Sequence, residues 1–214
     1  EKDDQCNAYM SFLRDDIDYV WQVDSDEVYK KQDIEKIIQL MHDEKPTSIG
    51  VKSCSFYGGF TNYIGGFEEA RDNFLRIFKV YPGSKWLTHR PPTVIHDPKV
   101  QTLPINHINS DELYDKTGVV MYHYSYVFPT QVSKKIFYYK AKVSTFKCID
   151  NYFHKIYLPW ATGGEEMREF VEDIYVGVHE FKPQYRTHTR TKKFQRTHPK
   201  SIQDNMSSLV ERFK

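Results

Sequence analysis

The sequence predicts an α/β chain built on a mixed central sheet with a helical C-terminal part, and three observations predict it. A short apolar run, Tyr19-Val20-Trp21-Gln22-Val23, ends abruptly in Asp24-Ser25-Asp26-Glu27, as a buried strand does where it reaches the edge of a sheet. Ile34, Ile37, Ile38 and Met41 recur at i, i+3, i+4 and i+7, and Val132, Ile136, Tyr139, Val143 and Phe146 repeat the helical spacing far downstream. Between these helices, Ser48 to Phe56 and Asn73 to Tyr81 carry the β-branched and aromatic content of strands.

In chain order, Asn7 to Leu13 reads as a short helix closed by Asp15-Asp16, and Tyr19 to Val23 as the first strand. The helix around Asp33 is expected to pack its isoleucine face on the sheet and to stop before Pro46. Tyr57-Gly58-Gly59-Phe60, followed by Gly65-Gly66-Phe67, is either a loop that presents flat rings to a sugar or a glycine-rich hairpin connection. It lacks the strand-to-helix setting of a phosphate-cradling motif. Pro82-Gly83 makes a turn, and residues 97–116 read as a long irregular surface segment. Val119 to Tyr122 is a strand ending at His123, and Thr130 caps the helix after it. Gly164 to Tyr175 is a further helix, with Met167, Phe170, Val171 and Ile174 expected inward.

At 214 residues the chain is long enough for one domain with a sizeable core. Residues 1–128 are expected to carry the core with the acidic motif, and 129–214 the C-terminal helices and a basic tail packed on the same domain. The aromatic share of 15% is high, which suits sugar-handling clefts and aromatic cores alike. A formal net charge of +1 gives no global reason to expect a nucleic-acid partner. Three widely spaced cysteines form no disulfide framework, so a reducing, cytoplasmic setting is expected. Nothing approaches a membrane-spanning apolar run.

Asp24 and Asp26 lie two positions apart, so they share a face if the strand continues and converge on one ion if it turns. Carboxylate oxygen suits hard divalent cations, and Mg2+ is usually held by one or two carboxylates plus substrate phosphates. A diphosphate is the natural complement. The alternative is a solvated turn that caps the following helix.

Three separated segments carry a family resemblance. Cys6-Asn7-Ala8-Tyr9-Met10 with Asp18-Tyr19-Val20-Trp21 resembles the Asn-bearing helix and the strand before the Asp-X-Asp motif of inverting, GT-A-fold glycosyltransferases of the family-2 type. Tyr122-His123-Tyr124-Ser125-Tyr126, with Gln131 and Lys134, resembles the His-Tyr-Gly-Tyr segment and Lys-bearing helix of one branch, serine replacing glycine. Arg196-Thr197-His198-Pro199-Lys200-Ser201-Ile202 resembles the His-Pro-x-x-Ile tail of the same relatives. The resemblance implies a GT-A-like three-layer fold whose opening nucleotide-gripping strands are absent from this sequence, so that either the chain is expected to be a fragment of a longer protein or that part is supplied in another way. One departure stands out: many relatives carry His-Glu where this chain has His89-Arg90, which leaves the base unassigned there.

The implied activity is metal-dependent transfer of a sugar from a nucleotide-diphosphate sugar to a glycan or other hydroxyl acceptor, with inversion. Asp26 and His123 are then expected to ligate Mn2+ or Mg2+, and Asp24 to reach the ion or the ribose. Lys134, Arg196 and His198 are expected to face the diphosphate, with Lys135 turned elsewhere. Glu69 or Asp72, with Glu68 beside them, supply the general base. Two other classes stay open. One is a degenerate sugar- or partner-binding module without catalysis; the other is a metal-dependent nucleotidyltransferase, supported only by the basic run from Lys182 to Lys200.

Overall fold

The computed structural model describes residues 2–65, 73–81, 83–89, 92–95, 106–142, 151–174 and 190–213. It is mixed α/β with mixed sheets, and the chain forms two compact units. The first comprises Glu1–Asp24, Lys31–Lys52 and Asn73–Val120; the second comprises Ser25–Lys30, Ser53–Asp72 and Met121–Lys214. The boundary suggested at residue 128 falls inside the second unit.

In the first unit, α1 (Lys2–Met10) is followed by β1 (Tyr19–Trp21), and the acidic motif then leads to β2 (Glu27–Val28) of the second unit. α2 (Lys31–Glu44) and β3 (Ser48–Val51) return to the first unit. β4 (Ser53–Tyr57) and β5 (Asn62–Ile64) belong to the second; β6 (Phe74–Lys79), β7 (Lys85–His89), β8 (Pro92–Ile95), β9 (His107–Ile108) and α3 (Ser110–Thr117) belong to the first. The first sheet runs β1-β6-β3-β9, with β6 antiparallel to both neighbours and β9 parallel to β3; β7 and β8 form a separate hairpin. The single strand expected over 48–56 is therefore two, divided at Lys52 between two sheets.

Asn7 explains how α1 is held. Its side-chain amide donates to the Trp86 carbonyl at 3.0 Å and accepts from the Trp86 amide at 2.9 Å, imitating a strand neighbour. Cys6, Phe78 and Trp86 close a small core beneath it.

Three expectations are corrected. Residues 106–117 are not irregular: β9 and α3 occupy them, with Asn109 capping Glu112 N–H at 2.9 Å and Gly118, at φ 70°, ending the helix. The buried face of α2 is Asp33, Ile37 and Leu40, while Ile34 and Ile38 are exposed. In α6 (Glu165–Ile174) only Val171 of the expected stripe is buried, joined by Glu172; Met167, Phe170 and Ile174 are exposed.

The second unit holds the sheet β11-β5-β4-β10-β2, where β10 is Met121–Tyr126 and β11 is Thr191–Lys193. β10 runs parallel to β4 and antiparallel to β2. α4 (Pro129–Lys142), a π-helical turn (Phe153–Tyr157), α5 (Leu158–Thr162), α6 and α7 (Lys200–Phe213) complete it. Val132 and Ile136 face inward as their spacing predicts, with Tyr139 packed against the core; Val143 and Phe146 lie outside the described residues.

The aromatic content has a packing role here. Tyr57, Tyr126, Tyr152, Tyr157 and Trp160 join Ile64, Val132, Ile136, Ile156 and Val171 in one core. Buried phenols need partners, and three of these four are bonded within the core: the Tyr57 and Tyr152 hydroxyls bond at 2.7 Å, and Tyr157 donates to the Tyr126 carbonyl at 3.1 Å. Burial raises all three phenols, which keeps them neutral. Trp160 donates to the buried Glu172 carboxylate at 2.8 Å, and Thr191 donates its hydroxyl to the same oxygen at 2.6 Å.

Gly58 makes this core possible. Its φ is +62°, and a Cβ there would lie 2.4 Å from the Trp160 ring. The Gly58-Gly59 segment is a hairpin connection between antiparallel β4 and β5, and its Phe60 is buried rather than presented. Gly58→Ala is expected to lower the unfolding free energy by about 2–4 kcal/mol, from left-handed backbone strain and overpacking together. Gly164→Ala, with open space at its Cβ, should change it by less than about 0.5 kcal/mol. Denaturant unfolding of the two variants checks the contrast.

Candidate functional site

The chemistry-bearing residues of the second unit gather around β10. The Tyr124 amide donates to the Asp26 carbonyl at 2.8 Å, extending the β2 ladder by one bond and tying the acidic motif to the His123 strand. That bond fixes the Asp26 backbone beside β10, and Asp26 Oδ2 lies 3.7 Å from His123 Nε2. The other ring nitrogen, Nδ1, is 3.3 Å from the Ser55 hydroxyl, on the strand whose register places Ser55 opposite His123. Ser53 Oγ lies 2.7 Å from Ser55 Oγ.

Beyond His123 the β4/β10 register shifts before Tyr126, an irregularity of the kind that re-aims side chains at the rim of a site. Ser125, two positions after His123, bonds Asp26 and receives a hydrogen bond from the Lys135 ammonium. Lys135 also lies over the Tyr126 ring, 4.8 Å from its centroid. Asp26 and His123 keep 25% and 15% of their side-chain exposure, so a solute reaches them while most water is excluded.

The electrostatics follow from this packing. Burial disfavours the Asp26 carboxylate, but hydrogen bonding to His123, the charges of His123 and Lys135, and the Ser125 bond outweigh it. They hold the carboxyl well below the usual carboxylate range. The result is an ionised, partly desolvated oxygen donor beside an imidazole nitrogen. That donor set suits Mn2+ or Mg2+, whose remaining positions water and phosphate oxygens commonly fill. Among the described residues no group of three or more His, Cys, Asp or Glu side chains is close enough to hold a metal.

The other expected site residues fall as follows. Asp24 belongs to the first unit, where its carboxylate is 3.7 Å from Nη2 of the buried Arg76. Lys134 is exposed, and it is Lys135 that turns toward Asp26, the reverse of the expected orientation. Arg196 is exposed. Glu68, Glu69 and Asp72 lie outside the described residues.

His198 has a packing role. Its Nε2 donates to the Phe60 carbonyl at 3.0 Å, which leaves Nδ1 to accept from the Tyr124 hydroxyl at 2.9 Å. The ring lies within 4.6 to 5.9 Å of Phe194, Phe56, Phe60 and Tyr124. Both nitrogens expected to face a diphosphate are thus engaged by protein atoms. Gln131 is similar, its amide donating to the Tyr124 carbonyl at 2.8 Å.

Much of the basic run is paired with acids. Arg190 binds Asp173 at 2.6 Å, Lys193 binds Glu165 at 3.0 Å and Lys200 binds Asp204 at 3.1 Å. No helix among the described residues is long and apolar enough to cross a membrane.

Sequence reasoning missed Lys135, Ser55 and Ser53. For Lys135 the signal was present: Val132 and Ile136 define the buried stripe of α4, Lys135 sits three positions after the first, and Lys134 two. For the serines it was absent, because β4 pairs with a strand far away in sequence.

No family model, no curated protein and no solved structure matches the chain.

Burial lowers the basicity of His198, opposed by the Phe60 carbonyl and assisted by the Lys30 charge. The unfolded chain therefore takes up this proton first as pH falls below about 6.5. Folded stability is complete at neutral pH and declines through the lowered value. In His198→Gln, unfolding free energy measured between pH 7 and 5 should fall less steeply than in the wild type.

Proposed function

We propose that this chain is catalytic sequence of a metal-dependent glycosyltransferase, GT-A-like in fold, that moves a sugar from a nucleotide-diphosphate sugar to an acceptor hydroxyl with inversion. The observation that supports the reading is the approach of Asp26 to His123 at 3.7 Å. Asp26 ends the acidic motif that follows the first resembling segment, His123 belongs to the second, and the third, through His198, bonds Tyr124 on the same strand.

Asp26 and His123 would hold the cation, which when bound supplies positive charge against the oxygens of the departing diphosphate. The remaining roles belong to the chain. Lys135, steadied by Ser125 and the Tyr126 ring, presents a fixed ammonium beside Asp26, where leaving-group charge develops. The acceptor oxygen attacks the anomeric carbon as the bond to the diphosphate oxygen breaks. The acceptor proton passes to a carboxylate, which position in the sequence assigns to Glu69 or Asp72.

A second reading, a sugar- or partner-binding module without catalysis, draws on two features. Asp26 already has the His123 ring and the Lys135 ammonium as partners, and Arg90 stands where many of the glycosyltransferases that the chain resembles carry glutamate.

Thermal shift and donor hydrolysis separate the two. Under the first reading, Mn2+ with a nucleoside diphosphate raises the melting temperature by several degrees, as saturating ligand stabilises by a few kcal/mol. Asp26→Ala removes that shift, and Lys135→Ala lowers turnover of the nucleotide sugar by roughly 10²- to 10³-fold. A shift that is indifferent to metal, with no turnover by any nucleotide sugar, supports the second.

A further inference from the structure

Ser53 and Ser55 are polar residues in a strand otherwise composed of Cys54, Phe56 and Tyr57, and no packing argument calls for them. Ser55 is buried. A buried hydroxyl is costly unless it is bonded, so a serine in this place needs partners, and its partners are informative. They are His123 Nδ1 at 3.3 Å and Ser53 Oγ at 2.7 Å. The first is the ring nitrogen that faces away from Asp26.

We infer that Ser55 is a positioning residue for the proposed cation site, orienting the His123 ring so that Nε2, and not Cε1, faces Asp26. A half-turn about χ2 costs an imidazole on a strand little and exchanges each ring nitrogen with a ring carbon, Nδ1 with Cδ2 and Nε2 with Cε1. A hydroxyl bonded to Nδ1 resists that exchange. Ser55 suits the task because a hydroxyl both donates and accepts, and Ser53 supplies its second partner. The parallel register, His123 opposite Ser55 and Tyr122 opposite Cys54, keeps this pair aligned through the backbone. Histidine ligands are commonly held in this way through their second nitrogen.

The same three side chains, Asp26, His123 and Ser55, have the order of a nucleophilic relay. That role is disfavoured because Ser55 is only 9% exposed, too little for attack on an external substrate.

This inference rests on the cation reading, and its test separates the two. Mn2+ alone is titrated into the wild-type chain and followed by electron paramagnetic resonance, with pulsed detection of coupling to imidazole nitrogen. The wild type is expected to bind saturably with nitrogen coupling. Ser55→Ala should weaken binding by roughly 10- to 100-fold and reduce the coupling. Ser55→Thr, which keeps the hydroxyl, should restore both. Ser53→Ala removes only the outer hydroxyl and should give a smaller loss in the same direction, which keeps the test decisive if Ser55→Ala does not fold. Wild-type affinity and coupling in both alanine variants would overturn the role of Ser55 while leaving the cation site standing. Absence of saturable binding in the wild type would remove both.

Discussion

The hydrogen bond from the Tyr124 amide to the Asp26 carbonyl, 2.8 Å long, is the constraint on which the site depends. It joins the acidic motif to a strand distant in sequence and fixes the Asp26 backbone beside it, where the His123 and Ser125 side chains engage the carboxylate. Without it Asp26 would be an exposed turn residue, the solvated alternative that the sequence equally allowed. With it the carboxylate is partly desolvated, and desolvation has to be offset locally. His123, Lys135 and Ser125 provide that offset, which is why three polar groups surround one acid on an otherwise aromatic sheet.

β10 is the hub of the second unit for a related reason. Its amide and carbonyl groups are shared between β4, β2, the turn at Gly58 and the side chain of Gln131. Its Tyr124 hydroxyl holds His198, and with it the segment leading into α7. Asp26, through its carbonyl, and the His-Pro segment, through His198, both bond to Tyr124 of the His-Tyr-Ser-Tyr strand. The bonds also divide the labour, since His198 and Gln131 are engaged in packing, while Asp26 and Lys135 carry charge beside the partly accessible His123 ring.

Residues whose environment is local were legible in the sequence. β1, β6 and the buried stripe of α4 followed from short periodic patterns, and Pro46 and Gly83 marked breaks; β10 is Met121–Tyr126, two residues later than the expected start at Val119 and continuing through His123 rather than ending there. The α3 helix was legible too, through Asn109 with Glu112 three positions on and Gly118 after Thr117, but the prolines upstream drew the segment toward an irregular reading. In α2 and α6 the apolar i, i+3, i+4, i+7 stripe is only partly the buried face: Ile34 and Ile38, and Met167, Phe170 and Ile174, are exposed. In α6 the buried side also holds Glu172, which the Trp160 indole and Thr191 make acceptable inside. The division of residues 48–57 between two sheets was not legible, because nothing local distinguishes Lys52 as the point where partners change. The Asp26–His123 approach was foreseen through the resemblance alone, and the placement of Ser55 depends on a parallel pairing that no local pattern encodes.

Anomalous diffraction at the manganese edge, from crystals grown with Mn2+ and a nucleoside diphosphate, puts the account at greatest risk. An ion peak within bonding distance of Asp26 and His123 Nε2, with phosphate oxygens completing its shell, is the result this structure leads one to expect. Well-ordered diphosphate with no peak beside Asp26, or a peak whose ligands exclude both residues, would contradict it.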